Sequence, residues 1–422
     1  MTKTKIYIYF YNNTYMENIE NFIKIIIQTQ NRLTQNLPKT KRYFYFEIEK
    51  NLKQKPPMIL MVHGFRGIGK TISLLQNLNE NAIYFRADSL GFKTKTITEI
   101  VQYLYINQNK RIFLIDEIQK YQNWEEEIKG LYDDFPDIKL VLSGSSASII
   151  KTKSADLSRR LKKIHAKPLF FNEFIEFKTG KKVSTFNIED IIKDPLSTSI
   201  KAEQETPNIY YLFKEYILFG GFPIYFRETD IIPLIENSIK RVIYFDIPNI
   251  IENSSVKTLK KLENIIMFLA LSSPGDFSYD SVASISELSK GTIYELISVL
   301  KDADLIDFLM VDSKKSSVRL RKKFKIYFTH PTLRHALLKS AGEQENIGYY
   351  REEFFHHHIK SLGKVGYLKK EGAKEPDFIL KRKNKEYLFE IGKHKDKKGF
   401  INVYDSSKAK YPLYLFGLIK QN

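Results

Sequence analysis

The chain has 422 residues, 43% hydrophobic and 27% charged, a globular composition that excludes fibrous and disordered classes and, at ~100–200 residues per domain, sets an expectation of two to four domains. Its 67 Lys and Arg outnumber 49 Asp and Glu, and the net charge of +18 favours a polyanionic partner or an anionic ligand. Cysteine is absent, which excludes disulfides, thiolate nucleophiles and Cys-based zinc sites and suits a reducing cytosol.

The opening run, Ile6 to Tyr11 after a basic start, superficially mimics a leader. It breaks at Asn12 and Asn13 with no small-residue cleavage site after it, so targeting is not expected. No stretch reaches the ~20 apolar residues of a membrane span, so a cytoplasmic protein with no membrane partner is expected. Glu17 to Leu33 places Ile19, Phe22, Ile23, Ile26 and Ile27 at helical spacing. Leu52 to Pro57 leads into Met58 to Val62, a short apolar run of the buried-strand type. The pattern then alternates: helix over Thr71–Leu78, strand over Ala82–Phe85, helix over Thr96–Ile106, strand over Arg111–Ile115, helix over Trp124–Tyr132 and strand over Ile138–Leu142. Strands separated by helices imply βαβ units and a parallel sheet with helices on both faces. The polar stretch Gly180 to Pro207 breaks the rhythm and leads to a more helical region. Residues 256 to about 330 hold three helical patterns and two strand-like runs. The last ninety or so combine a helix, Tyr349–Ser361, with strand-like runs at Asp377–Leu380 and Tyr387–Ile391.

Gly64-Phe65-Arg66-Gly67-Ile68-Gly69-Lys70-Thr71 satisfies G-x-x-x-x-G-K-[ST] between an expected strand and an expected helix. Glycines let the backbone curl so that successive N–H groups face phosphate oxygens, and the helix start adds its positive dipole end. The expected nucleotide-binding residues are therefore Gly64, Gly67, Ile68, Gly69, Lys70 and Thr71. Lys70 would reach the β/γ-phosphates of ATP, and the Thr71 hydroxyl would ligate Mg²⁺. Asp116 and Glu117 end the apolar strand Arg111–Ile115, Asp116 placed to hold the metal and Glu117 to act as general base. Ser143 closes the following strand and is expected to sense the γ-phosphate or orient the attacking water. In Lys151 to Lys167, seven basic residues stand against one acid, Asp156. Arg160 there is either a charge-stabilising arginine, acting in cis or from a neighbouring copy, or part of a solvated or DNA-facing face.

These motifs occur in an order that resembles the prokaryotic AAA-type DEXX-box ATPases common in archaea and some bacteria. The string is the P-loop, then Asp116-Glu117-Ile118-Gln119, Leu142 to Ser146, Leu157 to Arg160, Pro168 to Phe174 and Phe219 to Pro223. The resemblance covers nearly the whole chain. It implies a P-loop NTPase core, a helical lid, a winged helix and a small α/β domain related to PD-(D/E)xK nucleases. The corresponding divisions are 1–50 (N-terminal helical segment), 51–180 (ATPase core), 181–255 (lid), 256–332 (winged helix) and 333–422 (nuclease-like). Family members usually carry a Gly-Arg pair eight residues before the Pro-Leu-x-Phe motif; here Arg159 occupies the Gly position.

Ser278 to Val282, then Ile285 to Leu288, then a helix from Lys290 to Asp302 capped by Ser289 match helix-turn-helix spacing. Lys290 and Thr292 would lead the recognition helix into double-stranded DNA. Ser313 to Lys325 holds seven basic residues and no acid, so Lys314, Arg321 and Lys323 would contact phosphates from a hairpin reaching to Lys325. Glu295 and Asp302 break the basic face, and a module packing on protein is the alternative. Residues 360–422 carry sixteen Lys and Arg against seven acids. By the nuclease resemblance, Glu352, Asp377 and Glu390 would be the carboxylates, but Gly392 stands where the Glu-x-Lys lysine is expected. The nearest lysine is Lys393, which a bulge would be needed to restore, so a degenerate domain is expected. His356, His357 and His358 point about 100° apart on a helix and cannot converge on one ion, so they read as surface and packing residues. Tyr279, Tyr294 and Trp124 read as core or capping aromatics. The functional expectation is an ATP hydrolase acting as a switch or motor with nucleic-acid-associated modules, with homo-oligomerisation open. A nucleotide-dependent signalling or scaffold protein with little hydrolysis is the alternative.

Overall fold

A computed structural model describes residues 3–146, 155–249, 251, 255–274, 277–312, 324–368, 375–392 and 399–421. The chain divides into two units, Met1–Phe65 with Gly69–Lys167 and Arg66–Ile68 with Pro168–Asn422.

The first unit is built on five strands: β1 (Ile59–Gly64), β2 (Ala82–Arg86), β3 (Ile112–Asp116), β4 (Lys139–Ser145) and β5 (Leu161–His165). All pairings are parallel, in the order β2-β3-β4-β1-β5. Parallel strands bury both faces, and β1 and β3 accordingly read as near-continuous apolar runs rather than alternating ones. Helices α1 (Lys3–Thr34), α2 (Tyr43–Leu52), α3 (Lys70–Gln76), α4 (Ile97–Asn107), α5 (Trp124–Asp134) and α6 (Ala155–Arg160) accompany the sheet. Helix α4 starts at a capping box: Glu99 N–H donates to Thr96 Oγ1 at 3.1 Å, and Thr96 N–H donates to the Glu99 carboxylate at 2.7 Å. Helix α1 begins at Lys3 rather than near Glu17, because Asn12 and Asn13 are weak helix formers, not breakers. Its Ile19, Phe22, Ile23 and Ile26 are buried in the same core as Phe85, Phe113 and Leu142. Gln30 of α1 also accepts from Tyr84 N–H at 2.8 Å, satisfying a donor on the edge strand β2. Three elements of the first unit, α2, α6 and β5, escaped the periodicity. Strand β5 lies inside the basic stretch, where Lys162 reaches Asn51 Oδ1 at 2.7 Å instead of lying on a free basic face. Helix α2 is tied to β5 by Tyr43 OH, which donates to His165 C=O.

The second unit starts with α7 (Phe171–Thr179), α8 (Ile188–Lys193), α9 (Pro195–Glu205), α10 (Ile209–Phe219) and α11 (Ile232–Arg241), the last running into a π-helical turn, Val242–Asp246. Next come α12 (Val256–Leu271), α13 (Tyr279–Ser286) and α14 (Lys290–Asp302), then the antiparallel pair β6 (Ile306–Leu309) and β7 (Lys325–Phe328). Helices α15 (Pro331–Ser340) and α16 (Ile347–Ile359) precede a separate sheet, β8 (Lys364–Gly366), β9 (Phe378–Arg382), β10 (Lys385–Gly392) and β11 (Ile401–Tyr404), in the order β11-β10-β9-β8. The fold is thus α/β, a parallel P-loop-type sheet flanked by helices and a second region with its own sheet.

Helix α16 corrects the surface half of one expectation and bears out its packing half. His356, His357 and His358 are at most 3% exposed, because α16 is enclosed on nearly all sides rather than facing solvent. They diverge as helical geometry requires. His356 stacks on Tyr327, His357 stacks on Phe170, and His358 Nε2 accepts from Phe171 N–H at 3.2 Å while its Nδ1 bonds Phe354 C=O at 2.8 Å. Burial pushes the His358 imidazole down to about 3, so it stays neutral. The Phe219 to Pro223 motif acquires a packing reason here: a Cβ on Gly221 would stand 2.5 Å from the His330 ring.

Candidate functional site

Parallel strands all end on the same side of their sheet, so the C-terminal ends of β1, β3 and β4 gather their terminal residues. Strand β4 lies between β1 and β3, with Gly64 paired to Ser145 and Ile115 to Leu142. After β1 the chain turns through Gly67 (φ +77°) and Gly69 (φ +100°), left-handed positions that suit glycine, and α3 begins at Lys70. Gly64 is required on different grounds, since a Cβ there would collide with the Ala166 carbonyl oxygen. Lys70 is buried, its ammonium donating to Gly64 C=O at 2.8 Å and Phe65 C=O at 2.9 Å.

Asp116 is the hub. Its Oδ2 accepts from Thr71 Oγ1 at 2.7 Å and Tyr84 OH at 2.9 Å; its Oδ1 accepts from Ser143 Oγ and from Glu117 N–H at 3.1 Å. Asp116 is 3% exposed, and three hydroxyls from three elements and one amide satisfy its carboxylate without a lysine or arginine among these donors. Thr71, Asp116 and Ser143, chosen from motif position alone, therefore share hydrogen bonds. Glu117 follows in a left-handed conformation (φ +55°), and its Oε2 accepts from Gln119 Nε2 at 2.7 Å, which orients the carboxylate. Sequence reasoning missed Tyr84. In Ala82 to Phe85 it is indistinguishable from a core aromatic; burial and the Asp116 charge raise its phenol far above the ordinary value, so it stays protonated and donates. Arg160 ends α6, and its guanidinium pairs with Asp133 at 3.0 Å on the surface.

Residues 56–175 match the AAA domain family model AAA_14. The first unit is thus similar to the nucleotide-binding P-loop domains of AAA ATPases. Residues 210–344 match a second model, a domain of unknown function, DUF8612. Two uncharacterized proteins of Methanocaldococcus jannaschii are similar along much of the chain. MJ1637 is 26% identical over 70% of this chain and 66% of its own length, so the chain spans slightly less than two-thirds of that relative. MJ1544 is also 26% identical, over 82% of this chain and 75% of its own length. Among solved structures, the Walker-type ATPase PABY2304 of Pyrococcus abyssi aligns with a TM-score of 0.45 at 15% identity, covering 72% of this chain and 99% of its own.

Beyond the AAA-type region, α13 and α14 occupy the expected helix-turn-helix positions. Ser278 Oγ accepts from Ser281 N–H at 3.1 Å and Ser289 Oγ from Thr292 N–H at 3.2 Å, each capping its helix. Lys290 pairs with Asp280 at 2.5 Å. Tyr294, read as a core or capping aromatic, is exposed and so not a core residue, with its ring 6.3 Å from that of Tyr279. Trp124 packs against the first core as expected. Lys314, Arg321, Lys323 and Lys393 lie outside the described residues. Lys325, expected at the end of a phosphate-contacting hairpin, is instead largely enclosed on β7, 3.9 Å from Asp377 and over the Tyr367 ring.

Lys325 alters the reading of the C-terminal acids. Glu352, on α16, accepts from Tyr327 OH at 2.9 Å. Burial, then the nearby Asp377 carboxylate, pushes the Glu352 carboxyl up to about 7, against the pull of Lys325. Asp377 Oδ2 accepts from Ile391 N–H at 2.8 Å. Glu390 lies on β10 opposite Asn402, and Gly392 ends the strand opposite Tyr404. The structure thus brings Glu352 and Asp377 together with Lys325, a lysine from a different strand than the motif calls for. Among the described residues, no helix is long and apolar enough to cross a membrane.

Proposed function

We propose that the chain is a Mg²⁺-dependent ATPase acting as a switch or motor, with nucleic-acid-engaging modules in residues 256–332 and 333–422. The observation that carries the reading is the Thr71 hydroxyl at 2.7 Å from the Asp116 carboxylate, at the root of a glycine loop whose helix begins at Lys70. Hydroxyl and carboxylate oxygens are the hard donors that suit magnesium, so Thr71 and Asp116 fit the metal. When bound, magnesium would neutralise charge on the β- and γ-phosphates. Lys70 adds its ammonium to the same oxygens, and the loop amides cradle them. Glu117, held by Gln119, takes the proton of the water that attacks the γ-phosphorus, as the bond to the β–γ bridging oxygen breaks and ADP leaves. Ser143 orients that water. Arg160 is the candidate for charge stabilisation in a homo-oligomer, since its pair with Asp133 is half-exposed and exchangeable for a phosphate.

The capped pair α13–α14 followed by the β6–β7 hairpin supports a winged helix that contacts double-stranded DNA. For the C-terminal region, Gly392 in the motif position and an ammonium borrowed from β7 support a holding rather than a cleaving domain. The test is ATP turnover with and without double-stranded DNA at low salt. Stimulation that fades steeply as salt rises is expected. Turnover that ignores DNA favours the signalling or scaffold alternative, for which the engagement of Lys290 by Asp280 is the supporting contact.

A further inference from the structure

The phosphate-binding motif leaves Phe65, Arg66, Gly67 and Ile68 unspecified, yet these four positions are not alike. Phe65 and Ile68 are each 1% exposed and serve as packing. Gly67 has a left-handed φ, and nothing lies within 4 Å of where its Cβ would be, as befits a backbone that must face a ligand. Arg66 carries the loop's one charge between Gly64 and Gly69 and commits its guanidinium to Asp246. Nε donates to Oδ2 at 2.8 Å and Nη2 to Oδ1 at 2.6 Å, a parallel two-bond fork. The Asp246 side chain is 2% exposed and ends the π-helical turn Val242–Asp246, a rare backbone form that occurs mostly at functional positions. Arg66–Ile68 accordingly group with the second unit, although the residues on either side of them in the chain belong to the first.

We propose that Asp246 shapes the phosphate-binding loop by holding Arg66, and so acts as a positioning residue for nucleotide although it lies outside the motif. The inference rests on the ATPase reading and deepens it. An arginine in this loop without a carboxylate would itself be a strong phosphate ligand. The fork to Asp246 assigns Arg66 to loop geometry and leaves Lys70 as the loop's cation for the phosphates. A lysine would not replace Arg66, since an ammonium cannot form the two parallel bonds. Losing the fork leaves the Asp246 carboxylate buried without these two donors, so the loop would leave its present conformation.

The test compares ATP and ADP affinities of the full chain carrying Asp246→Asn, Arg66→Lys, Arg66→Met, the Arg66→Met/Asp246→Asn pair and the swap Arg66→Asp/Asp246→Arg, each with thermal unfolding as a check of folding. The expected result is a loss of about tenfold for both nucleotides in each single variant, no further loss in the paired variant, and partial recovery in the swap, as for two groups acting as one unit. A purely structural pair would lower the melting temperature and leave nucleotide affinity unchanged, which overturns the proposal. So does a selective loss of ATP over ADP in Arg66→Met with Asp246→Asn unaffected, since Arg66 would then serve the γ-phosphate directly. Should Arg66→Met not fold, Arg66→Lys and Asp246→Asn carry the same comparison. A wild-type chain that binds neither nucleotide fails differently: it removes the ATPase reading itself.

Discussion

Two acidic centres, one in each unit, meet the cost of burying a carboxylate in opposite ways. Asp116 is satisfied by hydroxyls of Thr71, Ser143 and Tyr84 and by one amide. Such neutral donors leave the negative charge uncompensated by any of them and can reorient when a cation takes the same oxygens. Glu352 and Asp377 instead face each other near Lys325, and Glu352 is pushed up to about 7, so a proton or the lysine provides the compensation internally. On our reading the first arrangement suits a hard metal cation, whereas the second balances its acids with a proton or the lysine. Similar residue types at strand ends therefore do not amount to similar chemistry.

The most severe way to break this comparison is Lys70→Ala. We expect ATP binding by calorimetry to weaken by more than about 100-fold, since on our reading the loop loses the ammonium that serves the phosphates; binding within a few-fold of wild type would remove the first centre's assignment. Glu117→Gln should keep ATP affinity while turnover falls by roughly 100-fold or more, the usual scale for loss of a general base. Normal turnover in that variant would mean another group takes the proton. Tyr84→Phe removes one donor from Asp116 and should cost about 1 kcal/mol of stability in denaturant unfolding; no change would show that Asp116 finds a replacement donor. The mildest test concerns the second centre. Glu352 in the fold holds its proton to higher pH than in the unfolded chain. Its stabilising contribution is thus complete below about 4.5 and is lost as pH rises toward about 7. Glu352→Gln should flatten that part of the stability profile, gaining on the order of 1–3 kcal/mol relative to wild type between acid and neutral pH. Parallel profiles for the two proteins would show that the acids are not compensated in this way.

The P-loop, Asp116 and Ser143 were legible because their signal is local: a glycine loop before a helix, an acid after an apolar run, a serine after another. Thr71, Asp116 and Ser143 do converge. Tyr84 was not legible, since a tyrosine inside Ala82 to Phe85 has the same pattern whether it fills a core or donates to an acid. The histidines of α16, read as surface and packing residues, kept only the packing half of that reading for a related reason. Three polar residues in a row suggest solvent, and only the enclosing of that helix makes them packing groups.

What the amino-acid order determined by itself was the parallel α/β framework and the phosphate loop, because strand and helix periodicity and glycine conformation act over a few residues. Tertiary structure alone decided which long-range partner each charge received. Arg66 found Asp246 across 180 residues, and Lys325 found Asp377 instead of a phosphate-facing surface. Charge in a sequence has no direction; a buried carboxylate acquires its meaning from whichever donor the fold brings within reach.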